Sequence, residues 1–316
     1  MSGIINSVGS KSGIVGKVRG IEFIASDVEP TDKKGNMYYD NSEQKLKHYD
    51  GTAWRRVDTQ SRTVINLNNG VTDQYVNIGD NEGATKYRFM QISEATSCSM
   101  WFKASANATK CLFSLNDDNG SSMNYIIDTT AGNIWGHYTA TGAGTQTLET
   151  GYAMTYLNLW THVIFAVSDR GGSASGTTTT ELFVNGVSRD TDSTSHTGRN
   201  DGSYLDFGAI GHYVVGVDGG ASHLTGSSTA SENFSGLVSQ VALFDTKINA
   251  ANALAIYNGG VPLSDLTRAH GNYDSQNSLV GLWELDGGYN DTSGQLCHQD
   301  AAGSPVFELN SLTPLS

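Results

Sequence analysis

The chain has 316 residues, 38% of them hydrophobic and only 16% charged, with 37 glycines and 4 prolines. That is long enough for one large domain with appendages, and its composition favours many turns over long helices. A formal net charge of −13 would repel phosphate backbones and anionic bilayers, which excludes nucleic acid and a membrane surface as expected partners.

No apolar run approaches the length of a membrane span, and Met1-Ser-Gly-Ile-Ile-Asn6 lacks the basic start and long apolar centre of a signal peptide. The expectation is a protein made in the cytoplasm that is released by lysis or stays there. Three cysteines, Cys98, Cys111 and Cys297, show no metal-type spacing and read as buried thiols. Cys98 and Cys111 could also fall on neighbouring strands, although a disulfide would need an oxidising compartment.

Residues 1–20 hold an imperfect repeat, Ser2-Gly-Ile-Ile5 and Ser12-Gly-Ile-Val15, too poor in large apolar groups to build a core. The stretch reads as an extended arm. Ile4, Ile5, Ile14 and Val15 are its candidate anchoring residues, because a β-branched segment can add a strand to a neighbouring sheet edge. A frayed terminus is the alternative.

Residues 21–60 alternate polar and aromatic positions: Gly35-Asn-Met-Tyr-Tyr-Asp40, Gln44-Lys-Leu-Lys-His-Tyr49, then Asp50-Gly51 and Thr52-Ala-Trp-Arg-Arg-Val57. They predict a three-stranded meander that forms a small docking module. This pattern is similar to a segment common in tail-fibre and head-fibre proteins of tailed bacteriophages.

From Thr63 a series of strands is expected: Gln74–Ile78, Tyr87–Ile92, Ser99–Lys103, Lys110–Leu115, Asn124–Asp128 and Asn133–Tyr138. Met100 and Phe102 alternate with Trp101, so the two sets should face opposite sides of a sheet. Next come Trp160-Thr-His-Val-Ile-Phe-Ala-Val-Ser168 and Glu181-Leu-Phe-Val-Asn-Gly-Val187, separated by a Gly/Ser/Thr run from Gly171 to Thr180 that reads as a solvated loop. Asn185-Gly186 tolerates positive φ at both turn positions and predicts a tight reversal. Asn249-Ala-Ala-Asn-Ala-Leu-Ala-Ile-Tyr257 is the expected helix, capped by Asn249 and closed by Gly259-Gly260.

The order Trp-x-His-Val, Leu-Phe-Val-Asn-Gly-Val, then Phe234-Ser-Gly-Leu-Val-Ser-Gln-Val-Ala-Leu-Phe-Asp245 resembles the laminin-G-like, concanavalin A-like jelly roll over residues 61–262. The resemblance implies an all-β fold, a two-sheet antiparallel jelly-roll sandwich. Leu279-Val-Gly-Leu-Trp-Glu-Leu285 and Asp291-Thr-Ser-Gly294 resemble a strand and turn of jelly-roll proteins of marine phages. Residues 263–316 should therefore form a C-terminal extension with one strand returning to the jelly roll and an extended tail.

Chemistry is sparse. Glycosidases with this fold set paired glutamates on one strand as Glu-x-Asp-x-x-Glu. Here Glu284-Leu-Asp286 is the nearest match, and Tyr289 stands at the third acidic position. There is no Gly-x-Ser-x-Gly elbow, and His162 lies inside an apolar strand as a structural histidine. The chain is therefore expected not to be an enzyme. The family resemblance implies calcium at a loop rim, with Asp117, Asp118 and Asp218 as candidate ligands, though the same residues also fit ordinary Asp/Asn turns. It also implies an aromatic platform for sugar, for which Trp135, Tyr138 and Tyr213 are candidates beside Tyr152 and Tyr156. Aromatics at alternate strand positions are more often core.

The expected role is a non-enzymatic virion structural protein of a tailed phage, decorating the capsid or forming a fibre, with the major capsid protein or other virion proteins as partners. A homotrimer at the virion surface is expected. The alternative is a tail adhesin that binds host surface glycans, with a polysaccharide depolymerase behind it.

Overall fold

The computed structural model describes residues 25–26, 37–40, 45–49, 54–56, 61–67, 74–78, 90–91, 95–116, 124–130, 132–140, 146–168, 175–197, 204–205, 207–212, 233–263, 265–293, 300–302 and 305–311. The arm residues Ile4, Ile5, Ile14 and Val15 lie outside this set. The chain forms two compact units, Met1–Gln60 and Ser61–Ser316.

In the first unit, β1 (Ala25–Ser26), β2 (Met37–Asp40), β3 (Lys45–Tyr49) and β4 (Trp54–Arg56) form one sheet in that order. The meander β2-β3-β4 is antiparallel as expected. A fourth strand was not expected: β1 joins β2 in parallel.

The second unit opens with β5 (Ser61–Leu67), β6 (Tyr75–Asn77), β7 (Met90–Gln91), β8 (Thr96–Ala104), β9 (Lys110–Asn116), β10 (Asn124–Thr130), β11 (Asn133–Ala140) and β12 (Gln146–Ala153). The central hairpin is β13 (Thr161–Val167) and β14 (Ser175–Val184), followed by β15 (Val187–Thr197), β16 (Tyr204–Leu205), β17 (Phe207–Ile210) and β18 (Gly236–Phe244). After helix α1 (Ala250–Tyr257) come β19 (Leu279–Trp283), β20 (Asp300–Ala302) and β21 (Val306–Ser311).

Two antiparallel sheets result. A seven-stranded sheet runs β12-β11-β10-β9-β17-β6-β20, and an eight-stranded sheet runs β15-β14-β13-β8-β18-β5-β21 with β19 also paired to β18. The shared core lies between them and includes Met100, Phe102, Phe113, Tyr125, Tyr138, Phe165 and Trp283. This is the jelly-roll sandwich expected from the sequence.

The continuous apolar run of β13 has a structural cause. Val163, Phe165 and Val167 face the inter-sheet core, while Ile164 and Ala166 face outward beneath Ile248, Ala253, Ile256, Leu263 and Leu266. Helix α1 and the chain after it thus form a third layer over the eight-stranded sheet, and a strand covered on both faces needs no polar alternation. The helix starts where the Asn249 side chain accepts from Asn252 N–H. Its left-handed closing residue is Asn258, at φ 47°, ahead of the glycines expected in that role.

Two expectations are corrected here. The Thr-rich run before Glu181 is no solvated loop: β14 begins at Ser175 and pairs with β15 as far as Thr197. Thr178 and Thr180 are buried there, so β-branched side chains fill a strand face despite their hydroxyls. In place of an extended tail, residues 300–302 and 306–311 form strands, with β20 paired to β6 in one sheet and β21 to β5 in the other. Cys98 and Cys111 are buried thiols on different sheets, while Cys297 lies outside the described residues. Among the described residues, no helix is long and apolar enough to cross a membrane.

Candidate functional site

The outer face of the seven-stranded sheet collects polar and aromatic side chains where β10, β11 and β12 lie side by side. Ile134 and Tyr138 point between the sheets, so Trp135 and His137 point outward, since successive residues of a strand alternate faces. The register sets Asp128 opposite Trp135, Gly151 opposite Trp135, and Glu149 opposite His137.

The pairings produce direct contacts. His137 Nε2 lies 3.1 Å from Asp128 Oδ2, and Nδ1 lies 3.6 Å from Glu149 Oε1. The Trp135 ring stacks near His137 with centroids 5.9 Å apart and planes inclined by 22°. Trp135 is partly exposed and lies flat over Gly151, where an added Cβ would come within 2.4 Å of the indole. Glycine is required at that position by the ring above it.

Electrostatics bind the group together. Burial alone would push the His137 pKa down, but the hydrogen bond and charge of Asp128, with Glu149 behind them, hold it above the ordinary 6.5. Asp128 is 1% exposed, and its second oxygen, Oδ1, is buried without a hydrogen-bond partner. A buried carboxylate oxygen left unpaired is costly, so the site retains an unsatisfied acceptor.

A second pair of carboxylates borders the same patch. Asp190 Oδ2 accepts from Gly151 N–H at 2.8 Å, and Asp192 Oδ2 accepts from Glu149 N–H at 3.2 Å. Both belong to β15, the edge of the opposite sheet, so they also stitch the two sheet edges together.

Of the expected sugar-binding aromatics, the structure places Trp135 on this outer face. Tyr138 is corrected: it is three residues from Trp135, hence on the opposite face, and it sits 1% exposed in the core. Tyr213 lies outside the described residues. Tyr156 is buried and donates to Asn107 Oδ1 at 3.0 Å, and Tyr152 packs against the core with the Arg189 guanidinium 4.6 Å above its ring. Asp117, Asp118 and Asp218 are outside the described residues, and among the described residues no group of three His, Cys, Asp or Glu side chains could hold a metal ion.

Asp128, Glu149 and Gly151 were missed in the sequence. The available signal was parity: once Ile134 and Tyr138 are taken as core, Trp135 and His137 must share the other face, and a short β10–β11 hairpin then sets Asp128 across from Trp135.

The remaining histidine of interest is sealed from solvent. His162 is fully buried on the outer face of the eight-stranded sheet, 2.8 Å from Ser99 Oγ, with Trp101 and Tyr257 beside it. Burial pulls its pKa down to about 3, so it is neutral at ordinary pH. Glu284, at the end of β19, has the Gln240 amide 3.3 Å from its carboxylate, while the neighbouring Asp286 is exposed to solvent.

The sequence match agrees with this architecture. Residues 68–253, more than half of the chain, match the family described as the concanavalin A-like lectin/glucanases superfamily, and the chain belongs to that family. Among solved structures, it is similar to a heptameric SAP-like pentraxin from Limulus polyphemus at 12% identity and TM-score 0.49, over 81% of this chain and 98% of that one. A putative carbohydrate binding protein from Bacteroides ovatus matches at 14% identity and TM-score 0.48, over 90% and 72%. The CBM40 of a Ruminococcus gnavus IT-sialidase, bound to α2,3-sialyllactose, matches at 13% identity and TM-score 0.41, over 63% and 99%. Likenesses this remote carry no argument about function. No curated protein matches the chain.

Proposed function

We propose that this chain is a non-catalytic, carbohydrate-binding protein whose jelly roll presents the Trp135 face of its seven-stranded sheet to glycans. The observation that carries the reading is the indole of Trp135, partly exposed and lying flat over Gly151 beside His137. A flat aromatic face beside carboxylates and imidazole suits a sugar ring, which offers apolar C–H groups to the ring and hydroxyls to the polar groups. Membership of a lectin/glucanase family supports it. The absence of catalysis is supported by Tyr289 at the third acidic position after Glu284, and by the burial of the Ser99–His162 pair, 1% and 0% exposed, which keeps it from any substrate.

The setting we propose is the virion surface of a tailed bacteriophage, with residues 1–60 attaching the chain to the major capsid protein or another virion protein, as a homotrimer. The N-terminal Gly35–Trp54 pattern, similar to fibre proteins, supports this setting. Calcium on Asp117, Asp118 and Asp218 belongs to the same proposal and rests on the family resemblance alone. A rise in melting temperature with calcium, lost on alanine substitution of these aspartates, is the expected result.

The test of the central reading is a glycan array probed with the wild-type chain and with Trp135→Ala. The expected result is a set of glycans bound by the wild type and weakened at least about tenfold by the substitution, the scale of one lost stacking contact. Equal binding by a folded Trp135→Ala chain overturns it.

A further inference from the structure

Resting on the reading of Trp135 as a sugar platform, we infer that this site takes uncharged or amine-bearing sugars and rejects sugars that carry a carboxylate, such as sialic and uronic acids. Shape alone does not distinguish these classes, because any pyranose presents a similar apolar face to an indole. The groups around the ring do.

Four carboxylates surround the platform on neighbouring strands. Asp128 stands opposite Trp135 on β10; Glu149 lies on β12 two residues from the glycine beneath the ring. Asp190 bonds that glycine's own N–H, and Asp192 bonds the N–H of Glu149. Facing them is His137, shared between Asp128 and Glu149; the Arg189 guanidinium is held over the ring of Tyr152, which packs against the core on the other side of β12. Even with His137 protonated, carboxylates around the ring outnumber cations by four to one among the described residues. Above the pKa of His137 the imbalance is larger.

The unpartnered oxygen gives the polarity of recognition. Asp128 Oδ1 is buried and accepts no hydrogen bond, and the same side chain's other oxygen is engaged by His137. Reaching it takes a donor: a sugar hydroxyl or an ammonium group. An incoming carboxylate would bring a second acceptor to an acceptor and a negative charge to a negative patch. At separations near 6 Å and an effective dielectric of about 40, one such pair costs roughly a tenfold change in affinity.

The experiment is the same array extended with matched sets at about 0.15 M salt: lactose against 3′-sialyllactose, chitotriose against its de-N-acetylated form, and galacturonate oligomers. Wild type and Trp135→Ala are compared with Glu149→Gln/Asp192→Asn, both on edge strands, and with Asp128→Asn. Expected are Trp135-dependent signals from neutral or amine-bearing members. Carboxylate-bearing members are expected to be weaker by at least about tenfold and to recover in the Glu149→Gln/Asp192→Asn chain. Trp135-dependent binding of sialyllactose or galacturonate at or above the neutral counterpart overturns the inference while leaving the sugar platform standing. An array with no Trp135-dependent signal removes the platform, and the inference with it.

Discussion

Single side chains pin the two sheets together. Tyr125 crosses from β10 into the eight-stranded sheet, where its hydroxyl donates to the Phe165 carbonyl and accepts from Cys98 N–H at 2.8 Å. Cys98 and Phe165 are direct partners in the β8–β13 register, so one hydroxyl replaces a rung of that ladder. Tyr125→Phe is expected to strand both backbone groups in a dry core and to cost about 1–3 kcal/mol, read as a lower urea midpoint at unchanged slope. A midpoint equal to wild type would show that the ladder closes without the hydroxyl. The two histidines buried among the described residues act oppositely on acidification. His137 has its folded pKa raised, so its stabilisation is fully present below the unfolded value near 6.5 and is lost as pH rises through the folded value. His162 has its folded pKa lowered from 6.5 to about 3, so the unfolded chain takes up the proton first and stability falls as pH drops from about 6.5 towards 3. Unfolding measured from pH 8 to 4 in wild type, His137→Gln and His162→Gln should separate them. The wild-type advantage over His137→Gln should grow on acidification, and His162→Gln should flatten the acid loss.

Elements show which parts of the fold could be read in advance. Alternation identified β8, hairpin spacing extended the series to β10 and β11, and the Asn185-Gly186 turn adopts φ of 52° and 76° as that dipeptide allows. The start of β14 was illegible because serine, threonine and glycine carry no apolar periodicity, although β-branching at Thr177–Thr180 suits a strand. The candidate site was half legible. The family resemblance nominated Trp135 among several aromatics, whereas Asp128 and Glu149 join it through cross-strand register, which follows only once the β10–β11 and β11–β12 pairings are assigned. Protection of the β12 edge was equally hidden, since it comes from carboxylates of a strand in the other sheet. An uncovered edge invites pairing with another chain. Asp190→Ala/Asp192→Ala is therefore expected to associate with rising concentration in light scattering, and Asp190→Asn/Asp192→Asn, which keeps an acceptor oxygen, to stay like wild type. Association of both variants alike would assign the effect to charge and not to edge capping.

For the molecule as a whole, the sandwich is closed by its last strands. The Asp291 carboxylate accepts Leu282 N–H and Ser293 N–H, both at 2.9 Å, which fastens the turn to β19. The chain then contributes β20 to one sheet and β21 to the other. From composition this segment reads as an extended tail, because strands that only complete an edge need backbone hydrogen bonds more than apolar faces. Removing residues 303–316 should speed amide exchange along β5 and lower the melting temperature by about 2–4 °C for each kcal/mol lost. Unchanged exchange in β5 would mean that β21 adds nothing to it.

The same closure sets a clock on synthesis. Among the described residues, β5 (Ser61–Leu67) pairs with β18 (Gly236–Phe244) and β21 (Val306–Ser311). At about 5–20 residues per second, an emerging chain leaves β5 without its neighbours for on the order of ten seconds. A ribosome stalled before residue 236 thus holds a buried-type strand in the open, ready for a chaperone or for a second nascent chain.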